Sequence, residues 1–238
     1  MVNIIIDFEF TGLDNSFITD NEIIQMKAIN HNTGQKSLMN FATDKPSGSG
    51  AFLKHRINND GLSIKFSKEA FENMLIDIGV PKESIYDYKI INFYGFSVTQ
   101  DLLMLRKHDI QLNIIDIREK LKLSKFGEQL AIEGSSMECA YYIVTNKIPN
   151  IENHGDLNEL DLILELFDFV KTAELKEYLT VMPHGHCSGM PIADYVLKHR
   201  RQADGYRFNN DDILSESLTK YIEDIDDNMF DNDDDDDF

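Results

Sequence analysis

The chain has 238 residues, 42% of them hydrophobic and 10% aromatic, which suits a globular protein with one sizeable core and a small appendage rather than a disordered chain. No apolar run approaches the roughly 18–20 residues of a membrane span. The start, Met1 to Ile6, has no basic region and meets Asp7 at once, unlike a signal peptide, and two cysteines, Cys139 and Cys187, give no disulfide framework, which fits a reducing, cytoplasmic setting. The net charge of −19 is uneven: residues 223–238 carry ten acidic groups and no Lys or Arg, leaving −9 for residues 1–222, a balance that argues against a broad duplex-binding surface but not against carboxylates lining a metal site.

Asn3 to Phe8 is an apolar run closed by the turn-like Thr11-Gly12-Leu13-Asp14, and it reads as a buried strand. Ile23 to Asn30 reads as a second strand, Asn32-Thr33-Gly34 as a hairpin turn, and Lys36 to Ala42 as a third strand. Asp44 to Gly50 is a loop by composition. Ser67 to Ile78 has helical spacing, with Phe71, Leu75 and Ile78 on one face. Lys89 to Tyr94 is a buried strand broken at Gly95, and Val98 to His108 is the helix after it. Asn113 to Ile117 is a short strand, Ile117 to Leu123 begins a helix, and Phe126 to Thr145 is helical in parts.

His154 to Leu175 is an amphipathic helix carrying Leu160, Ile163, Leu164, Phe167 and Val170 on one stripe. Residues 182–189 are turn-rich, a short helix follows over Ile192 to Arg201, and the acidic residues 223–238 read as disordered. Three antiparallel opening strands followed by strands alternating with helices predict an α/β fold. The division expected from texture is a main domain over 1–177, a small module over 178–222 and a tail over 223–238.

Asp7 and Glu9 are two apart on one strand, so their side chains share a face. Two carboxylates at the end of a buried strand repel and are costly to desolvate unless a cation neutralises them. Hard oxygen ligands favour Mg²⁺ or Mn²⁺. The simpler alternative is a strand that emerges into solvent at Asp7.

The run Ile4-Ile5-Ile6-Asp7-Phe8-Glu9-Phe10-Thr11-Gly12-Leu13 resembles the first motif of the DEDD (DnaQ-like, RNase T-like) 3′–5′ exonucleases, and Asn21 to Met26 resembles that family's second strand. Asp101, at the head of a helix after Ile90 to Phe96, matches the second motif, although Gly95-Phe96-Ser97 stands where a His-Asn is usual. Asp116 resembles the Asp that closes the following strand and is read as structural. His154 matches the His of the third motif in the family's His branch, but the position five residues on is Glu159 instead of Asp. Glu keeps the charge and adds about 1.5 Å of reach. Asp161 lies two positions further, about 200° around the helix, and Asp156 reads as a cap.

The resemblance implies an RNase H-like mixed sheet flanked by helices and two Mg²⁺ or Mn²⁺ ions held by Asp7, Glu9, Asp101 and Glu159. It implies His154 as the general base, and the terminal nucleotide packed near Phe10, Thr11, Gly12 and Leu13. The implied activity is hydrolysis of nucleic acid from a free 3′ end, releasing nucleoside 5′-monophosphates; the acidic body without a long basic tract suggests short or single-stranded substrates. DNA and RNA stay equally open, as do replication, repair and RNA trimming. The rival expectation is a non-catalytic, nucleic-acid-binding or scaffold protein of the same fold.

Met182-Pro183, Gly185 and Gly189 resemble a small module that follows some of these exonuclease domains. His184, His186 and Cys187 invite a zinc reading, but a second cluster of ligands is missing from the sequence. Lys198-His199-Arg200-Arg201 either contacts phosphates or forms a solvated helix face. The acidic end closed by Phe238 resembles the tail of bacterial-type single-stranded-DNA-binding proteins and suggests a protein partner; a solubilising tail is the alternative.

Overall fold

The computed structural model describes residues 1–12, 21–44, 46–58, 60–150, 156–183, 185–209 and 212–230, with the backbone alone for 209 and 227–230. The chain folds as two compact units: Met1–Ile117 with Ile148–Phe169, and Arg118–Lys147 with Val170–Phe238. This division differs from a boundary at residue 177, because the segment 118–147, read from sequence as part of the main domain, belongs to the second unit.

The first unit is built on a five-stranded sheet in the order β3-β2-β1-β4-β5. Its strands are β1 (Val2–Phe10), β2 (Ile23–Asn30), β3 (Lys36–Asn40), β4 (Ile91–Gly95) and β5 (Ile114–Asp116). β1 to β3 pair antiparallel, while β4 runs parallel to β1 and β5 parallel to β4. This mixed sheet flanked by helices is the α/β architecture expected from sequence. The hairpin between β2 and β3 closes through Gly34, whose amide donates to the Asn30 carbonyl at 2.8 Å and whose φ of 75° suits glycine.

Side-chain alternation along β1 separates its two faces. Ile4, Ile6, Phe8 and Phe10 join Met26, Ala28, Phe71, Met74, Leu75, Met104 and Leu105 in one core, formed with α2 (Lys68–Asp77) and α3 (Thr99–Lys107). α2 starts where the Ser67 hydroxyl accepts the Ala70 amide at 3.1 Å, an N-cap that satisfies one of the helix's free donors. The other face of β1 carries Ile5, Asp7 and Glu9. α7 (Asn158–Thr172) buries Leu160, Ile163, Leu166 and Phe167, and the Phe167 ring lies 4.6 Å from that of Tyr94 and 4.9 Å from that of His31. Leu164 is only half-buried. A short helix, α1 (Ser49–His55), stands where part of the loop 44–50 was expected; its buried Ala51 and His55 anchor it.

β4 ends at Gly95 for a packing reason. A Cβ there would come within 2.6 Å of Val98 Cγ1 and 3.1 Å of the Ile6 carbonyl oxygen. The chain then turns through Ser97, whose φ is 63°, into α3. Gly95→Ala is therefore expected to destabilise the protein by about 1–3 kcal/mol through overpacking, measured by urea denaturation; an unchanged midpoint would contradict this close approach.

The second unit contains α4 (Ile117–Lys122), α5 (Gly127–Glu133), α6 (Met137–Thr145), α8 (Ile192–Asn209) and α9 (Ile213–Phe230). α8 runs past Arg201, with a non-helical kink at His199. Its core gathers Leu179, Met182, Ile192, Val196, Ala203, Leu214, Leu218 and Ile222. The reading of residues 223–230 as disordered is corrected: they continue α9. The apolar stripe Leu214, Leu218, Ile222 and Ile225 keeps helical spacing into the acidic segment. The Arg200 guanidinium grips Asp226 through two bonds of 2.9 and 2.8 Å. Residues 231–238, including Phe238, lie outside the described residues. Both cysteines are free, and among the described residues no helix is long and apolar enough to cross a membrane.

Candidate active site

Three carboxylates converge beside the centre of the sheet. Asp7 and Glu9 project from β1, and Glu159 comes from the first turn of α7. Each offers a ligand oxygen, and these oxygens all lie within 4.8 Å of one another. Glu9 and Glu159 are only 7% and 5% exposed, so the alternative of a strand end released into solvent does not describe Glu9. Asp101 occupies the first turn of α3 and is also buried. Asp116 holds the entry to that helix, accepting the amides of Ser97 at 3.0 Å and Val98 at 3.2 Å. That is a structural role, and it places Asp101.

One residue of this site has no counterpart among the candidates that the sequence singles out. Lys27 lies on β2 directly opposite Asp7 in the antiparallel register. Its side chain is fully buried, and its ammonium lies 2.6 Å from Asp7 and 3.1 Å from Glu9 and also bonds Glu159. The available signal was a lysine amid the apolar residues of β2. Recognising its meaning required the strand register, which sets it across from Asp7.

The electrostatics follow from crowding. Burial, reinforced by the Asp7 charge, pushes the Glu9 carboxyl up to about 8 against the pull of Lys27. Burial likewise raises Asp7, with Lys27 opposing and Glu159 reinforcing. Burial together with Asp7 and Glu9 raises Asp101 well above the usual carboxylate range. Burial alone would push the Lys27 ammonium down; the three carboxylates more than reverse this and hold it charged.

The remaining residues singled out by sequence are placed as follows. Asp161 points elsewhere, to an ion pair with Lys36, as its helical offset from Glu159 requires. The Asp156 carboxylate accepts the Asn158 amide at 2.9 Å and caps α7. Phe10 belongs to the core cluster with Phe8. The Thr11 hydroxyl accepts the Glu22 amide at 2.9 Å, and Gly12 makes room for Asn21, whose Oδ1 would lie 2.3 Å from a Cβ at that position. Leu13 and His154 lie outside the described residues, as does His184. Cys187 is 4.0 Å from His199, and no metal-ligand group includes it among the described residues.

The donor chemistry of Asp7, Glu9, Asp101 and Glu159 fits a hard divalent cation. The Lys27 ammonium already lies among three of these four groups.

The sequence matches no protein-family model and no curated protein. Solved structures do match. The crystal structure of cell-death related nuclease 4 (CRN-4) aligns at a TM-score of 0.51 and 13% identity over 74% of this chain, which spans just under two thirds (66%) of that nuclease. A 3′-exonuclease solved in 3′-end specific recognition of histone mRNA stem-loop aligns at a TM-score of 0.54 and 15% identity, over 77% of this chain and 87% of that one. The five-stranded sheet and its flanking helices are thus a fold that this chain shares with these two nucleases.

Proposed function

We propose that this chain is a metal-dependent 3′–5′ exonuclease of the DEDD family's His branch, releasing nucleoside 5′-monophosphates. The observation that carries the reading is the convergence of Asp7, Glu9 and Glu159, with Asp101 buried in the same unit, on a fold shared with 3′-exonucleases. Asp7, Glu9, Asp101 and Glu159 would hold the divalent ions. Such ions, when bound, supply stabilisation of the attacking and leaving oxygens of a phosphodiester in an in-line displacement.

The chain's own groups do the rest. His154 takes the proton from the attacking water, the general-base task for which an imidazole is suited. The burial of Glu9, Asp101 and Glu159 excludes bulk water and strengthens every charge interaction in the site. Thr11 and Gly12 fix the chain just beyond the ligand strand, through the Thr11 bonds to Glu22 and Gly48, next to where the terminal nucleotide packs.

The substrate class is nucleic acid with a free 3′ end, single-stranded by preference because the chain is strongly acidic. A 3′-labelled DNA and a matched RNA oligomer, each incubated with Mg²⁺ or Mn²⁺, test the reading. Release of labelled mononucleotide supports it, the faster substrate names the preferred sugar, and no release with either metal overturns it.

A second reading, a non-catalytic nucleic-acid-binding protein of the same fold, has one observation in its favour. Lys27 already neutralises part of the carboxylate cluster. Binding of the same oligomers without release is the outcome it requires.

A further inference from the structure

We propose that Lys27 is the resident cation of this site: its ammonium occupies the space among Asp7, Glu9 and Glu159 in the metal-free chain, and a divalent ion gains these three carboxylates only by displacing it. The idea that a metal competes here rests on the proposed function; the resident-cation role rests on geometry alone.

Three features support it. First, the antiparallel register sets Lys27 across from Asp7, so the ammonium reaches the cluster from within the sheet and not from a mobile surface. Second, the Lys27 side chain is fully buried, in a β2 whose every residue is buried. A buried ammonium is tolerated only where acceptors surround it. Third, an ammonium has three N–H donors and no acceptor, and three carboxylates from two different elements meet it. Part of the repulsion among those carboxylates is thereby relieved before any metal arrives. The consequence of this arrangement is competition, since a hard cation seeking the same oxygens meets a positive charge already in place.

The test uses the full-length chain and Lys27→Met, which keeps the bulk of the side chain and removes its charge. Mn²⁺ binding is followed by electron paramagnetic resonance of the free ion, and melting by circular dichroism in EDTA and in Mn²⁺. Lys27→Met is expected to bind Mn²⁺ roughly tenfold or more tightly than the natural chain, because a unit charge within bonding distance of the ion is gone. It should also melt lower in EDTA and gain more from Mn²⁺. Equal Mn²⁺ affinity in the two proteins overturns the proposal.

If Lys27→Met does not fold even with Mn²⁺, acetylation footprinting of the natural chain decides. Lys27 should resist acetic anhydride in EDTA and become reactive as Mn²⁺ saturates the site. Reactivity in EDTA, or no change with Mn²⁺, overturns the proposal. Mononucleotide release by the natural chain reports separately on the proposed function, so either idea can fail without the other.

Discussion

Asp7→Asn is expected to reduce mononucleotide release from a 3′ end by roughly 10²–10³-fold or more, the scale on which removing a charge-stabilising group from an active site acts. The substitution preserves side-chain shape and one carbonyl oxygen, so the sheet should form as before. The melting temperature is measured alongside, because Asp7 meets the buried Lys27 ammonium at 2.6 Å and the substitution leaves that charge to Glu9 and Glu159. A lost rate with an unchanged melting temperature therefore belongs to chemistry and not to folding. Asp161→Asn is the matched control. Asp161 lies one helical offset from Glu159, pairs with Lys36 and has a half-exposed side chain, and exposed pairs of that kind contribute little. Release by Asp161→Asn should match that of the natural chain. Undiminished release by Asp7→Asn, or an equal loss in both variants, would remove Asp7 from the site.

The contrast between Asp7 and Asp161 shows what kind of information the sequence carried. Asp7 and Glu9 sit two apart in an apolar run, so period-2 alternation alone puts them on one face, and helical periodicity alone separates Glu159 from Asp161. Both relations are local, and both hold in the structure. β2, α2 and the buried stripe of α7 were legible for the same reason. Lys27 was not, because its meaning depends on which residue of another strand lies opposite, and a register is a long-range fact.

α9 was hidden differently. The acidic residues 223, 224, 226 and 227 dominate the composition there, yet they flank Ile222 and Ile225 at helical spacing, and Arg200 reaches Asp226 from α8. Charge count masked periodicity. Asp101 was half legible: its place at a helix start was readable, but Gly95-Phe96-Ser97 departs from the usual motif. What sets its position is the Asp116 carboxylate bonded to the amides of Ser97 and Val98.

The same crowding of charge predicts how the metal-free protein responds to pH. Glu9 has an ordinary value of 4.5 when unfolded and is pushed up to about 8 in the fold, mainly by burial and the Asp7 charge. Between those two values the folded chain holds a proton that the unfolded chain has released, so stability falls as pH rises through this window. Asp7 and Asp101 are raised as well and act in the same direction. Lys27 is raised further above its usual value, so its contribution is fully present across this range and is lost only in strong alkali.

His108, held below 6.5 by burial and by Lys107, works the opposite way, but only below that value. Between about pH 6.5 and pH 8 the carboxylates therefore dominate. In EDTA the melting temperature should drop over that interval by several degrees, corresponding to on the order of a few kcal/mol for a chain of this size. Mg²⁺ or Mn²⁺ should oppose the drop, raising the melting temperature more at pH 8 than at pH 6.5, because the ion binds ionised carboxylates and competes with fewer protons at the higher pH. Thermal melts at the two pH values, with EDTA and with each metal, measure all of this. A melting temperature that is flat or rises with pH in EDTA would mean that Lys27 alone neutralises the cluster, and that the carboxylates need no proton to be buried together.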